Sequence, residues 1–277
     1  MANNSILTNP EALIALRNLE RTNKTLAVTQ NRVSTGLKVT GAIDDASNFA
    51  IAQGIRGDVK ALGAVVQGLN NAKGIAKVAI AGATSISDLL QTVRQKLTEL
   101  SNEGITSTQR AILQEDFNQL LSQAANFIDN AVFNGVNLLD TTTLSPNVNT
   151  LSNINGGTLT LTAQDLRTTV LTLAAATTSL TDASAAQNVL ASQFANLQSV
   201  VNTALGSLGA EARALDLQTS FLEQITDATE EGLGNIVDAD MARESARLTA
   251  LQVRQQLGVQ VLGIANQAPQ ILLGLFQ

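Results

Sequence analysis

Two pairs of carboxylates are the residues of this chain best placed, by type and spacing, to do chemistry: the adjacent Asp44-Asp45 and the near-adjacent Asp238 and Asp240. Paired carboxylates can divide a proton between them and serve as general acid and base. Around them the usual helpers are missing. The chain has no His and no Cys, which removes the commonest general base, the thiol nucleophile and the usual transition-metal ligands. Each pair stands directly before a helical pattern, so Asp44, Asp45, Asp238 and Asp240 read as helix caps. Asp165 and Asp182 are the remaining carboxylates able to serve an insert-borne site, and neither has a visible partner. No catalytic, cofactor or metal site is expected.

The elements around these caps carry the stronger signal. Near the N-terminus Ala12, Leu16, Leu19, Leu26 and Val33 follow a 4-3 alternation, with polar Asn23 and Gln30 in the two gaps. More than 200 residues later, Leu257, Val261, Ile264, Ala268, Ile271 and Leu275 repeat it. Such spacing lays one continuous seam on a helix, which asks for a partner helix. Asn23 and Gln30 either set register or face water in a loose pair. The C-terminal stretch is also apolar off that seam, at Leu262, Ala265, Leu272, Leu273 and Phe276, so it needs cover on more than one side.

Composition fits an assembly of long helices. The chain has 277 residues, 44% hydrophobic but 3% aromatic, with neither Trp nor Tyr, and three prolines. Net charge is −6, with Lys and Arg scattered singly. No basic face is expected from that pattern, which argues against a nucleic-acid partner. The C-terminal apolar run is broken by Gln260, Asn266, Gln267 and Gln270 and does not span a membrane. Nor does its polar face carry the Lys/Arg enrichment of a membrane-surface helix. The N-terminus lacks a secretory signal pattern, so work outside the cell requires another export route.

The predicted fold is mainly α, an elongated antiparallel long-helix bundle with paired terminal helices and a small β-containing insert. Residues 1–43 form a terminal helix with its linker, capped by Thr8 or Asn9 with Pro10 in the first turn and stopped by Gly36. Residues 44–140 hold a second helix of about 55 residues, roughly 80 Å long, and a third helix from Ser107. The second helix has a seam at Ile55, Leu62, Val66, Leu69, Ala76, Ile80, Ala83, Leu90 and Leu97, and is weakened by glycines at 54, 57, 63, 68, 74 and 82. Phe133-Asn134-Gly135-Val136 reads as a turn into short extended structure. Residues 141–181 are a Ser/Thr-rich insert, 16 of 41 residues, read as strands and loops on the surface. Residues 182–236 form a further long helix ended by Gly232-Leu233-Gly234-Asn235, and residues 237–277 the last helix, with a kink or break at Pro269. Folding this order back on itself sets the first helix beside the last.

Specific residues resemble a family. Asn31-Arg32-Val33-Ser34-Thr35-Gly36-Leu37-Lys38-Val39, Asp44-Asp45-Ala46 and Ala50-Ile51-Ala52 are similar to the N-terminal signature of bacterial flagellins. Asp238-Ala239-Asp240, Gln255-Gln256, Ala265-Asn266-Gln267-Ala268-Pro269-Gln270 and Leu275-Phe276-Gln277 resemble the C-terminal one. The resemblance covers about residues 1–140 and 182–277, and the short insert looks like that of alphaproteobacterial flagellins. It implies a structural subunit that self-assembles into the extracellular flagellar filament for motility. It also implies unfolded type III export, an export chaperone on the C-terminal helix, a filament cap, hook–filament junction proteins, and co-assembly with sister flagellins. Subunit contacts then fall on Leu16, Leu19, Asn23, Leu26, Gln30 and Val33, and on Leu257, Val261, Ile264, Asn266, Gln267, Ile271 and Leu275. Flagellins sensed by the vertebrate innate receptor carry an Arg and a Leu around a Val-Arg step. Here those positions are Thr92 and Lys96, flanking Arg94, which implies weak receptor activation. A hook–filament junction protein shares similar terminal helices and stays an alternative at this point. A type III-secreted translocator or adhesin is a further one.

Overall fold

A computed structural model describes residues 9–142, 147–177 and 180–274. The chain divides into two compact units, one made of residues 1–57 and 228–277, the other of Asp58–Asp227. Two long helices run from one into the other: α2, Ala46–Leu100, and α6, Ala195–Val237.

In the first unit α1, Pro10–Thr35, lies beside α7, Met241–Gly274. Asn9 caps α1, its Oδ1 accepting the Ala12 N–H at 3.1 Å, and Pro10 takes the first helical position. Gly36 ends the helix in the left-handed region at φ 75°, donating to the Arg32 carbonyl. Below the pair, Val39, Ala52 and Val237 form a small buried cluster with Leu37, Phe49, Leu233 and Ile236 around it.

The second unit has one core. Along α2 the buried positions in this unit are 62, 65, 69, 72, 76, 79, 83, 86, 90, 93, 97 and 100, a 3-4 alternation, with Ile75 buried beside it. Ile55 is only half-buried and Ala52 is the buried residue of that stretch, but from Leu62 on the every-seventh positions agree with the predicted seam. The intermediate ones do not: Val66 and Ile80 are only half-buried, and Val65 and Ala79 take their place. Close packing selects the small Ala72 and Ala79 over larger neighbours, because they let the facing helix approach.

Opposite α2 lie α3, Ser107–Asn130, and the segment from α5, Ala183–Val189, through a π-helical turn at Leu190–Phe194 into α6. Thr106 and Gln109 form a reciprocal capping box at the start of α3. Arg110, with 9% of its surface exposed, turns back to donate to the Leu100 carbonyl at 2.6 Å and the Asn102 carbonyl at 3.1 Å. It thus satisfies the Leu100 carbonyl at the end of α2, which has no helical partner, and one carbonyl of the loop that follows. Asn134 (φ 50°) and Gly135 (φ 80°) make the tight turn between β1, Val132–Phe133, and β2, Val136–Asn137.

The predicted ending of the fourth helix is not observed. α6 continues through Gly232 and Gly234 to Val237, since glycine weakens a helix without stopping it. α7 runs continuously through Pro269 to Gly274, so of the kink or break expected there the break is not observed.

The insert is also corrected. Its two strands, β3 Asn147–Leu151 and β4 Thr158–Thr162, pair as an antiparallel hairpin, but a helix follows, α4 Leu166–Thr177, where strands and loops were expected. Leu166, Val170 and Leu173 stand at i, i+4 and i+7 and are buried in the unit's core with Leu161 and Leu180. Burying that stripe overrides the poor helix propensity of its threonines. The insert is therefore part of the core on one face and surface only on the other. The Gln218 side-chain amide donates to the Ser152 carbonyl at 2.6 Å, the Thr162 N–H to Glu211 at 3.1 Å, and Arg167 pairs with Asp129.

Two of the weakening glycines have a packing role. A Cβ at Gly82 would meet Leu139 Cδ1 at 2.9 Å and Ala131 Cβ at 3.0 Å, and one at Gly74 the Phe133 ring at 2.9 Å. Gly54, Gly57 and Gly63 have nothing within 4 Å.

Candidate functional site

α1 and α7 are antiparallel. Asn9 reaches Ala265, a Cβ on Gly258 would touch Leu19 at 3.2 Å, Gln255 donates to Asn23 at 2.9 Å, and Arg32 pairs with Glu244 at 3.4 Å. The inner stripe of α1 is Ala12, Ala15, Leu19, Thr22, Leu26, Thr29 and Val33; that of α7 is Leu248, Leu251, Gln255, Gly258, Leu262 and Ala265. Small residues at Ala15, Gly258 and Ala265 let the two backbones close in.

Measured against this seam, the predicted assembly residues separate. Leu19, Leu26 and Val33 face α7, whereas Leu16 is 40% exposed and Asn23 and Gln30 are exposed. On α7 the predicted stripe points away from α1: Leu257 is 53% exposed, Val261 54% and Ile264 68%, with Asn266 and Gln267 also exposed. The off-seam residues Leu262 and Ala265 make the intrachain contact instead. The side chain of Ile271, and Leu275 altogether, lie outside the described residues. Exposed Leu13, Ile14, Leu16 and Val28 on α1, with Val253, Leu257, Val261 and Ile264 on α7, thus leave the pair apolar on outer faces as well.

The junction between helices uses the capping carboxylates unequally. Asp45 caps α2, accepting the Ser47 and Asn48 N–H groups at 3.1 and 3.0 Å, and its other oxygen takes the Asn48 amide. Those N–H bonds, Asn48 first, hold its carboxyl below the usual value. Asp44 does not cap the helix. It accepts the Thr40 hydroxyl at 2.5 Å and the Thr40 N–H at 3.0 Å, closing the turn before α2, and the hydroxyl lowers its pKa most. Asp240 caps α7 through the Arg243 N–H at 3.1 Å. Asp238 instead lies in a backbone bridge with Leu37, beside the Lys38 N–H donated to the Val237 carbonyl and the Ala239 N–H donated to that of Gly36. Asn31 reaches Thr40, and Lys38 the Asn235 carbonyl. The N-terminal signature residues therefore knit the two chain ends together.

Three arginines line one groove where the sequence predicted no basic face. A groove of about 450 Å³ lies between Arg21, Thr22 and Thr25 of α1 and Arg247, Leu251 and Arg254 of α7. Sequence distance hid it, because its two walls are more than 200 residues apart and the antiparallel register brings them level.

In the second unit Thr92 and Arg94 are exposed on α2, while Lys96 is tied to Asp116 at 2.9 Å and Glu99 at 3.7 Å, the Asp116 bond above all raising its pKa. Among the described residues no group of three or more acidic side chains is arranged to hold a metal ion, and no helix is long and apolar enough to cross a membrane.

Fold and site define a long-helix structural protein whose two chain ends close on each other as an antiparallel pair with apolar outer faces. Residues 6–144 match the family model described as the bacterial flagellin N-terminal helical region, and residues 192–276 match its C-terminal counterpart. The chain is 39% identical over 277 residues to flagellin FljM of Caulobacter vibrioides, covering 100% of both chains. It is 38% identical to a Brucella melitensis flagellin, covering 99% of both. A crystal structure of Bacillus cereus flagellin overlays with TM-score 0.39 at 22% identity, over 66% of this chain and 94% of that one. The chain belongs to the bacterial flagellin family. It is a structural subunit of the flagellar filament, which serves motility, and polymerises with its own kind.

Proposed function

We propose that filament growth is driven by burying the outer apolar faces of the α1/α7 pair against neighbouring copies, with no catalytic role for the chain. The observation that carries this is the exposure of Leu257, Val261 and Ile264 on the side of α7 that α1 leaves open. Apolar surface taken out of water contributes roughly 25 cal/mol per Å², so a stripe of this kind repeated at every subunit stabilises a polymer well. Ile43, fully exposed in the turn before α2, is a second apolar group in need of cover.

The subunit leaves the cell unfolded through the flagellar type III apparatus, the C-terminal helix held by an export chaperone on the way. It adds beneath a filament cap, beyond the hook–filament junction proteins, and ends in the extracellular filament, where sister flagellins co-assemble. In that setting the α7 stripe is what the chaperone shields. The innate receptor engages the chain weakly, because Thr92 offers no guanidinium and Lys96 is held in a charged network with Asp116.

Removing residues 258–277 tests the assembly reading. The shortened protein is expected to stay helical and soluble and to form no filaments when seeded with fragments, as seen by negative-stain microscopy. Filaments of normal length from it would sink the reading. Purified monomer that stimulates the receptor strongly at low concentration would overturn the weak-activation reading.

A further inference from the structure

The arginine groove of the terminal pair stands apart from the apolar faces. Arg21 and Arg254 sit level across the antiparallel register and form no ion pair among the described residues. Arg247 lies 4.0 Å from Glu244, but that carboxylate is already engaged by Arg32. Three like charges along one groove, with only Glu244 near one of them, repel one another, and carboxylates seated along the groove would relieve that repulsion.

Charge is also segregated along the chain. Together α1 and α7 carry seven basic and three acidic side chains, a net of +4, in a protein of net −6. The remainder, ten basic against twenty acidic, is net −10. The densest acidic run on one helix face is Glu223, Asp227 and Glu230 of α6, spaced i, i+4, i+7, all exposed and without an ion pair among the described residues. From Glu223 to Glu230 is seven residues, about 10 Å along a helix. Arg247 to Arg254 is also seven residues, the same length on the other surface.

We infer that the groove docks the Glu223–Asp227–Glu230 face of a second copy of this chain, giving each filament contact an electrostatic latch beside its apolar one. The inference rests on the assembly reading above. Guanidinium–carboxylate pairing is directional and often bidentate, so matched spacing sets the axial register of neighbouring subunits, which an apolar stripe leaves free to slide. The pairing lies between copies, so it weakens as salt rises.

Charge exchange in the full-length protein is the test, read as the elongation rate from filament seeds at low salt. Arg21→Glu with Arg254→Glu is expected to slow elongation about tenfold or more, and Glu223→Arg with Glu230→Arg likewise. All four changes in one chain are expected to restore the rate to within about threefold, since the charges are exchanged rather than lost. Far-ultraviolet circular dichroism checks that each variant is folded, and Arg→Gln versions are the milder control, with a shallower salt dependence expected. Wild-type filaments with charge variants growing at the wild-type rate would overturn the latch and leave the apolar assembly intact. So would a fourfold variant that is no faster than either pair, or wild-type chain retained by anionic vesicles while the variants polymerise normally. Failure of wild-type protein to grow at all would instead remove the assembly reading beneath it.

Discussion

The Asn9 side-chain amide donates to the backbone carbonyl of Ala265 at 2.7 Å, joining the first turn of α1 to α7. Ala265 is four residues before Pro269, which has no N–H to give it, so the helix itself leaves that carbonyl without its usual donor. One asparagine thus caps α1 with its oxygen and completes α7 with its nitrogen. The Asn9 bond makes good the hydrogen bond that the proline withholds from α7.

Asn9→Asp keeps the capping oxygen and removes the donor. It is expected to destabilise the terminal pair by about 1 kcal/mol or somewhat more. In a Pro269→Ala background, where the backbone N–H returns, the same change is expected to cost clearly less. Thermal melts of the four proteins form a double-mutant cycle, and strict additivity would show that the two positions are not coupled.

Glycines in α2 give opposite results according to what surrounds them. Gly82→Ala drives a methyl into Leu139 and Ala131 and is expected to destabilise the second unit by about 1–3 kcal/mol, despite better helix propensity. Gly63→Ala meets nothing within 4 Å and is expected to stabilise by about 0.5–1 kcal/mol. Melting temperatures that moved in the same direction would count against this packing role.

Substitutions on the two faces of α7 separate folding from assembly. Leu251→Ala removes a side chain only 6% exposed in the seam with α1, so a loss of about 2–3 kcal/mol in the terminal unit is expected. Val261→Ser with Ile264→Ser alters exposed positions and is expected to leave the monomer's melt within about 0.5 kcal/mol while abolishing seeded growth. Filament growth by that double variant would contradict the proposed role of the outer stripe.

The pH dependence follows from three shifted groups. Asp44 and Asp45 have carboxyls lowered from 3.8, so their contribution is complete above that unfolded value and is lost as pH falls through the lower folded one. Lys96 is raised from 10.5, so its contribution is complete below that value and is lost as pH rises through the folded one. With no histidine, helicity and assembly are expected to be flat between about pH 6 and 8. Circular dichroism should show loosening only at the acid and alkaline extremes, and a sharp transition near neutrality would be incompatible with these assignments.

Much of the architecture could be read from spacing alone. The pairing of the chain ends, the Gly36 stop, the Asn134-Gly135 turn and every seventh position of the α2 seam from Leu62 on depend on local periodicity and turn chemistry. Those properties travel with the sequence. Misreadings came where a local preference met a tertiary demand. Threonine-rich α4 is helical because Leu166, Val170 and Leu173 have a core to enter, and at Pro269 the donor that α7 lacks is supplied from across the pair by Asn9.

What the sequence determined by itself is that helices one and seven each carry more apolar surface than one partner can cover, and that no histidine or cysteine is available for chemistry. Which of their stripes turns inward was decided only in three dimensions. Helices approach most closely where their residues are small, so Ala15, Gly258 and Ala265 took the inner seam and left the bulkier Leu16, Leu257 and Ile264 outside. The same antiparallel register brought Arg21 level with Arg254, a juxtaposition that no spacing within either helix contains.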